Sequence, residues 1–228
     1  MVEAAYDLFS RRGYAGTTVT AVAEQAGVAV PTIYYTFGTK AALLGEALGA
    51  AVLGFEAWRP PQQEPIDVIS MLPWHAWWSD FAAAPTAAAA LHVFIPPGVE
   101  VLHRVGPLVP ALHGASSDDD AAEIARLGEE RRVQTYREVV RIVAGKQGGL
   151  APGLTLDEAT DMLVVLFSSE VYQALVGRRW SYRRRLDFFH DILPAQLLGG
   201  RSTADGGHAP GAVGATTAAA RPAPRQDG

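Results

Sequence analysis

The chain of 228 residues is 49% hydrophobic and 19% charged, and it contains no cysteine. This composition allows a packed core in one or two domains, and it excludes a disulfide framework and thiolate chemistry. The start does not have the pattern of a signal peptide and we predict no membrane-spanning segment, so we expect a cytoplasmic protein. The net charge of −5 does not by itself indicate nucleic-acid binding.

The segment from Thr17 to Lys40 has the pattern of two short helices joined by a tight turn. Thr17 or Thr18 is suited to cap the first helix, because a hydroxyl oxygen can accept a hydrogen bond from a free backbone N–H group. Apolar residues then follow at helical spacing, namely Val19, Val22, Ala23 and Ala26.

A turn and a second helix complete this pattern. Gly27 follows the last periodic residue, where a helix often ends in the left-handed conformation that glycine tolerates. Pro31 falls in the first turn of the next helix, where its missing N–H costs nothing, and that helix continues to about Phe37. A helix, a glycine-containing turn and a short helix make a helix-turn-helix unit, whose second helix can lie in a DNA major groove.

These residues resemble the N-terminal domain of the TetR family of bacterial transcriptional regulators. The resemblance is carried by residues at fixed spacings: Phe9, Gly13, Tyr14, Thr17, Thr18, Val19, Ala23, Glu24, Ala26, Gly27, Val28, Thr32–Lys40, Leu43 and Leu44. Residues 154–189 are also similar to the C-terminal helix pair of one branch of that family.

The resemblance implies a set of DNA-contacting residues. Groove-reading residues lie near the start of the second helix, and others contact backbone phosphates. The implied set is Thr18, Thr20, Val30, Pro31, Thr32, Tyr34, Tyr35 and Lys40. The alternative is that the two tyrosines belong to the core, although Ile33 and Phe37 are better core candidates because they lie four residues apart.

The charge of this segment counts against DNA binding. Met1–Leu48 contains three basic and four acidic residues, for a net charge of −1, whereas neutralisation of phosphates supplies much of the affinity of DNA-binding proteins. Helix N-termini and backbone N–H groups can contact phosphates without formal charge. The chain also opens inside a periodic helix, so we expect the native chain to start upstream of Met1.

The whole chain is predicted to be all-α. It would comprise a three-helix helix-turn-helix DNA-binding domain (residues 1–45), a larger helical ligand-binding and dimerisation domain (46–198) and a disordered low-complexity tail (199–228). The predicted helices are Val2–Arg12, the two motif helices, Lys40–Glu56, Glu64–Ala83, a helix that breaks at Pro96–Pro97–Gly98, two short pieces up to Gly114, Asp118–Lys146, Thr155–Val176 and Ser181–Leu198. Pro73 should kink the helix Glu64–Ala83 or divide it in two.

Aromatic residues between positions 62 and 114 are candidates for a ligand site, because small-molecule sites are mainly apolar with a few polar groups. We expect the effector to be small and apolar or aromatic. The candidate residues are Met71, Trp74, His75, Trp78, Phe81, Phe94, His103 and Tyr136, and Met162 and Tyr172 could add to them. An ordinary hydrophobic core is the alternative interpretation.

The last two predicted helices would pack against a second copy in a four-helix bundle, as the resemblance implies. The candidate dimer-interface residues are Leu166, Glu170, Tyr172, Leu186, Phe189 and Leu193. A basic run follows the first of these helices and is predicted to be solvated or at the rim of the dimer, pairing with Glu170 or Asp187: Arg178, Arg179, Arg183, Arg184 and Arg185.

The resemblance therefore predicts a ligand-responsive transcriptional regulator, by the habit of the family a repressor, which binds a near-palindromic DNA operator as a homodimer. Two rivals remain: a small-molecule binding or sequestering protein with weak DNA affinity, and an enzyme that uses the aromatic site. We find no catalytic constellation, expect no cofactor, and predict no metal site because the histidines lack metal-ligand spacing.

Overall fold

The computed structural model describes residues 1–58, 73 and 75–199 of the chain. These residues form helices and turns and contain no strand. The helices are α1 Val2–Arg12, α2 Val19–Ala26, α3 Val30–Phe37, α4 Lys40–Leu53, α5 Ala76–Ala83, α6 Ala87–Val105, a 3-10 turn Gly106–Leu108, α7 Val109–Gly114, α8 Asp119–Ala144, α9 Leu156–Leu166, α10 Ser169–Gly177 and α11 Tyr182–Leu197.

Helices α1, α2 and α3 begin and end where the sequence predicts, and α4 begins where it predicts. The Thr18 hydroxyl accepts a hydrogen bond from the Ala21 N–H at 3.1 Å and caps α2. Gly27 ends α2 in the left-handed conformation, with φ of 68°, and Thr39 caps α4 through the Ala42 N–H at 3.0 Å. Local capping and turn chemistry therefore fix the helix-turn-helix unit.

The first hydrophobic core joins this unit to the rest of the chain. Leu8, Phe9, Ile33 and Leu44 are buried in it. Residues of the 3-10 turn, of α7 and of the start of α8 are buried in the same core, namely Leu108, Ala111, Ala115 and Ala121. The helix-turn-helix unit therefore rests directly on the start of α8.

The second hydrophobic core lies among α5, α6 and α8–α11 and is rich in aromatic rings. Phe81, Phe167 and Phe189 have no exposed surface. Phe94 and Tyr136 join them with 4% and 8% of their surface exposed. These rings fill the centre of the larger helical part.

The predicted break at Pro96–Pro97–Gly98 is wrong. Helix α6 continues through both prolines from Ala87 to Val105. Proline removes a backbone hydrogen bond, but its fixed φ is compatible with a helix. The helix persists because one face is anchored in the second core by Leu91, Ile95, Val99 and Leu102, so tertiary packing outweighs the local cost.

The predicted single helix Thr155–Val176 is also wrong, because two helices occupy this range. Phe167 leaves the helical conformation with φ of −100° and ψ of 57°. Ser168 then caps α10 by accepting a hydrogen bond from the Val171 N–H at 3.2 Å. The break turns the Phe167 ring into the second core. A continuous helix would have kept Phe167 at regular helical spacing instead.

One segment of the chain bears on the prediction that no segment spans a membrane. By length and composition, Leu156–Gly177 is apolar enough to cross a membrane, contrary to our prediction, although core helices of soluble proteins meet the same test. The segment is weak evidence for a membrane span, because it is divided at Phe167 and contributes Leu163 and Tyr172 to the second core.

The remaining helix bounds differ little from the predictions. Helix α4 ends at Leu53 rather than near Glu56, and Gly54 follows it with φ of 93°. Helices α8 and α11 match their predicted ranges within two residues at each end. Three predictions fall wholly or largely outside the described residues: the kink or division at Pro73, the helix from Glu64 up to Ala76, and the tail after residue 199.

Candidate nucleic-acid interface and effector region

Helix α3 presents two tyrosines to solvent. Tyr35 is 94% exposed and Tyr34 is 51% exposed, whereas Ile33 and Phe37 on the opposite face are 1% and 8% exposed. The alternative that both tyrosines belong to the core is therefore wrong. Large aromatic side chains on a proline-started helix are free to contact a partner.

Most of the other predicted DNA-contacting residues are also exposed. Thr20 on α2 and Pro31 and Thr32 on α3 are exposed to solvent. The oxygen of Thr18 already accepts the α2 capping hydrogen bond, but its hydroxyl proton can still be donated to a phosphate. Val30 differs, because it is partly buried against the first core.

Lys40 lies over an aromatic ring, a contact that the sequence pattern does not predict. Its Nζ sits 4.1 Å from the centroid of the Tyr14 ring. The Tyr14 hydroxyl donates a hydrogen bond to Asp118 Oδ2 at 2.6 Å. Partial burial lowers the pKa of Lys40, and the charge of Asp118 opposes that shift.

The aromatic candidates for effector binding pack against one another. The Phe94 ring lies 5.4 Å from Phe167 and 6.1 Å from Tyr136, measured between centroids. Trp78 lies 5.4 Å from Phe81. Burial raises the pKa of Tyr136 to about 12, and its hydroxyl donates to the carbonyl oxygen of Phe167 at 2.8 Å.

Trp77 is a member of this cluster that our candidate set omits. Its ring centroid lies no more than 6.0 Å from those of four rings of the region, His75, Trp78, Phe81 and Phe94. Helical spacing could have identified it, because Trp77 and Phe81 are four residues apart. Met71 and Trp74 are outside the described residues.

His103 does not join the aromatic cluster, so the predicted ligand set is divided. Its Nδ1 lies 3.0 Å from the Tyr172 hydroxyl, near the far end of α6. The Tyr182 hydroxyl donates to Glu100 in the same place. His75 instead stacks on Trp77, with centroids 6.0 Å apart.

Three of the predicted dimer-interface residues are wrong. Tyr172, Phe189 and Leu193 have 0% of their surface exposed and form part of the second core, so they have no surface to offer a second copy. Glu170 is exposed and Leu166 and Leu186 are partly buried. The exposed large apolar residues of α9 and α10 are Met162, Val165 and Val176.

The basic run is not uniformly solvated as predicted. Arg185 is only 8% exposed and its guanidinium lies 4.7 Å from the Tyr172 ring centroid. Arg183 pairs with Asp187 at 2.9 Å, as expected. Glu170 pairs with His113 at 3.9 Å instead of with an arginine.

Further polar contacts join the helix-turn-helix unit to the larger helical part. Arg104 Nε donates to the carbonyl oxygen of Ala51 near the end of α4 at 2.7 Å. The hydroxyl of Tyr6 on α1 donates to the carbonyl oxygen of Arg104 at 2.8 Å. These long-range contacts leave no periodic signal in the sequence, so sequence reasoning missed them.

The titratable side chains do not gather into a metal centre in the part of the chain that the structure describes. Within residues 1–58 and 75–199, no group of three or more His, Asp or Glu side chains could hold a metal ion.

Residues 1–47 match the sequence model of a family described as bacterial regulatory proteins, tetR family. No curated protein matches the chain. Solved structures of several regulators share the fold at low sequence identity. A protein described as a transcriptional regulator from Saccharomonospora viridis, in complex with choline, has a TM-score of 0.59 and 21% identity over 86% of this chain and 95% of that chain.

The fatty acid degradation regulator FadR from Bacillus halodurans has a TM-score of 0.59 and 16% identity over 84% of this chain and 91% of that chain. The regulator PfmR from Thermus thermophilus, of the TetR family, has a TM-score of 0.54 and 16% identity over 86% of this chain and 97% of that chain. At these identities the similarity concerns the fold, in both its N-terminal and its larger helical part.

Proposed function

We propose that the chain is a ligand-responsive repressor of transcription, because residues 1–47 match the model of the bacterial tetR regulatory family. It binds a near-palindromic operator as a cytoplasmic homodimer and is released by a small effector. The exposure of Tyr34 and Tyr35 on α3 carries this proposal, because tyrosine side chains are enriched at interaction surfaces.

The tyrosines and their neighbours suit DNA in chemical terms. Threonine and aromatic carbons can contact a thymine methyl group, and phenol hydroxyls can bind base edges or phosphates. Lys40 supplies a cation at the first residue of α4. The N-termini of α2 and α3 add backbone N–H groups for phosphates, which compensates for the net charge of −1 in Met1–Leu48.

The dimer is proposed to form through α9, α10 and α11. Met162, Val165 and Val176 are exposed there, and Val165 keeps 64% of its surface accessible. Burial of apolar side chains of this kind stabilises subunit association. Two-fold symmetry would then place two copies of α3 about 34–36 Å apart, in successive major grooves.

The effector is proposed to enter the larger helical part beside the aromatic cluster. Trp77 and Trp78 are only partly buried, at one edge of the second core, so an apolar or aromatic molecule could pack on them. Choline, present in the similar protein from Saccharomonospora viridis, suggests a quaternary ammonium as a second effector class, because aromatic faces attract cations.

The alternative function is small-molecule binding or sequestration with weak DNA affinity. The acidic helix-turn-helix unit favours it, since Arg11 is already paired with Asp7 and adds little free positive charge. Such a protein would need the effector region but not the exposed tyrosines.

A mobility-shift assay with DNA from immediately upstream of the gene separates the two functions. We expect retarded complexes at about 100 mM salt that dissociate as salt rises, because phosphate contacts release counterions. Addition of an apolar aromatic compound or of choline should then be screened for release of the DNA. No retardation at any salt concentration would favour the sequestering protein.

A further inference from the structure

Asp118 makes two hydrogen bonds in two different parts of the molecule. Its Oδ1 accepts from the Ala121 N–H at 3.1 Å and caps α8. Its Oδ2 accepts from the hydroxyl of Tyr14, in the loop between α1 and α2, at 2.6 Å. One carboxylate therefore joins the first turn of the longest helix to the helix-turn-helix unit.

The Tyr14 ring is held firmly and in turn supports Lys40. Tyr14 is 7% exposed and stacks on Phe9 with ring centroids 5.9 Å apart. The Lys40 ammonium lies over the Tyr14 ring at 4.1 Å from its centroid, a distance at which a cation is attracted to an aromatic face. The ring thus provides a face on which the ammonium rests.

The protonation states of Tyr14, Asp118 and Lys40 are compatible with this arrangement. The hydrogen bond from Tyr14 lowers the pKa of Asp118, and burial raises the pKa of Tyr14, so both keep the protonation states that the bond needs. Lys40 forms no ion pair with a carboxylate in the described ranges. Asp118 attracts the Lys40 charge from beyond ion-pairing distance, and the ammonium keeps N–H donors for an incoming phosphate.

We propose that Tyr14 and Asp118 are positioning residues that hold Lys40 in place for its phosphate contact and link that contact to α8. The proposal rests on the function proposed above and adds a regulatory route to it. Because α8 also lines the second core through Tyr136, Val139, Val140 and Val143, an effector that moves α8 would act on Lys40 through Asp118 and Tyr14.

The link is short enough to respond to a small movement. A shift of about 1 Å at the start of α8 would lengthen the Tyr14–Asp118 bond beyond hydrogen-bonding distance. The phenol would then lose its buried partner, the ring would reorient, and Lys40 would lose its support. DNA affinity would fall without any movement of α3 itself.

Three substitutions test the link. Tyr14→Phe keeps the ring and removes the donor, and Asp118→Ser keeps a good helix cap but is too short to reach Tyr14. Lys40→Gln removes the phosphate contact. Tyr6→Phe is the matched control, because it removes the hydroxyl of another tyrosine that joins the helix-turn-helix unit to the larger helical part at 2.8 Å but does not support Lys40.

The first measurement needs no DNA. The chain contains only two lysines, Lys40 and Lys146, so reductive ¹³C-methylation labels these two side chains and the N-terminal amine while keeping their charges. We expect the Lys40 methyl signal to be shifted upfield by the Tyr14 ring and to lose that shift in Asp118→Ser. The signal of Lys146, whose Nζ donates to Ala82 and Ala84 carbonyls at 2.8 Å, should stay unchanged.

The second measurement is affinity for the upstream DNA. Tyr14→Phe and Asp118→Ser should each weaken binding by about three- to tenfold, the share of one well-placed phosphate contact. In a Lys40→Gln background neither substitution should have a further effect, because their route to DNA has been removed. Tyr6→Phe should leave affinity unchanged.

The outcomes separate the two proposals. If the unsubstituted protein binds no DNA, the proposed function fails, and the methyl signal of Lys40 still decides whether Tyr14 and Asp118 position it. If the protein binds DNA but the effects of Tyr14→Phe and Lys40→Gln simply add, the positioning role is overturned. An unshifted Lys40 methyl signal in the unsubstituted protein would overturn it as well.

Discussion

Two groups of aromatic side chains in this molecule have opposite surroundings. On α3, Tyr35 keeps 94% of its surface exposed and has only solvent around most of its ring. In the second core, Phe94 is 4% exposed, and its ring centroid lies within 6.2 Å of those of Trp77, Phe81, Tyr136 and Phe167. The same side-chain chemistry therefore serves folding in one region and recognition in the other.

The contrast shows in which region a ring contributes to the free energy of folding and in which it does not. A buried ring contributes its hydrophobic transfer free energy to folding, so its loss destabilises the chain. An exposed ring contributes almost nothing to folding, so its area remains available for a partner. Substitutions can therefore separate stability from DNA affinity.

The largest expected effect is at Phe94. Phe94→Ala should lower the free energy of unfolding by about 3–5 kcal/mol, because it removes a buried ring and leaves a cavity. Chemical denaturation followed by circular dichroism measures the loss, with Phe94→Leu as a milder control. A loss below about 1 kcal/mol would mean that Phe94 borders open space, as at a ligand site, rather than closely packed neighbours.

The next largest effect is expected for a substitution of Tyr35, and it is a loss of affinity for DNA. Tyr35→Ala should weaken operator binding by about 1–3 kcal/mol, the value of one good base contact, while stability changes by less than about 0.5 kcal/mol. Fluorescence anisotropy and thermal unfolding measure the two quantities. Tyr35→Phe shows whether the ring or the hydroxyl matters, and a large loss of stability in Tyr35→Ala would contradict the exposed position.

Helix caps give a smaller effect that differs between the regions. Ser168→Ala should cost about 1–2 kcal/mol, since Ser168 is 6% exposed and water cannot replace its capping oxygen. Thr18→Ala should cost about 0.5–1 kcal/mol, because its helix end is exposed to water. Denaturant titrations measure both losses of stability. Equal losses for the two variants would contradict the predicted difference between the two regions.

The smallest effect is a dependence of stability on pH at the surface of the second core. Burial, and then the neighbouring His92 ring 4.5 Å away, lower the pKa of His190. The unfolded chain therefore binds a proton more readily than the folded one, so stability should fall as pH drops through the ordinary histidine range. In an NMR titration His92→Gln should raise the pKa of His190, and an unchanged value would refute the role of His92.

The sequence predicts the helix-turn-helix unit well because its signals are local. Thr18, Gly27 and Thr39 act through neighbouring backbone groups, and the alternation of Ile33 and Phe37 with the exposed tyrosines follows from helical spacing alone. Nothing beyond the next few residues is needed to place these helices.

The larger helical part is predicted less well because distant contacts decide it. Packing of α6 in the second core overrides the helix-breaking tendency of Pro96 and Pro97. The break at Phe167 depends on neighbouring rings such as Phe189, 5.0 Å away. Burial of Tyr172 and Leu193, and the bond from Tyr14 to Asp118, likewise join residues far apart in sequence.

The most direct test of the proposed function is a hydroxyl-radical footprint on the DNA upstream of the gene. We predict two protected half-sites centred about 10–10.5 base pairs apart or a multiple of that spacing, because two copies of α3 enter grooves on one face of the duplex. Both should disappear together with Tyr35→Ala. A uniform lack of protection, or a footprint that Tyr35→Ala leaves intact, would contradict the role of α3 in reading DNA.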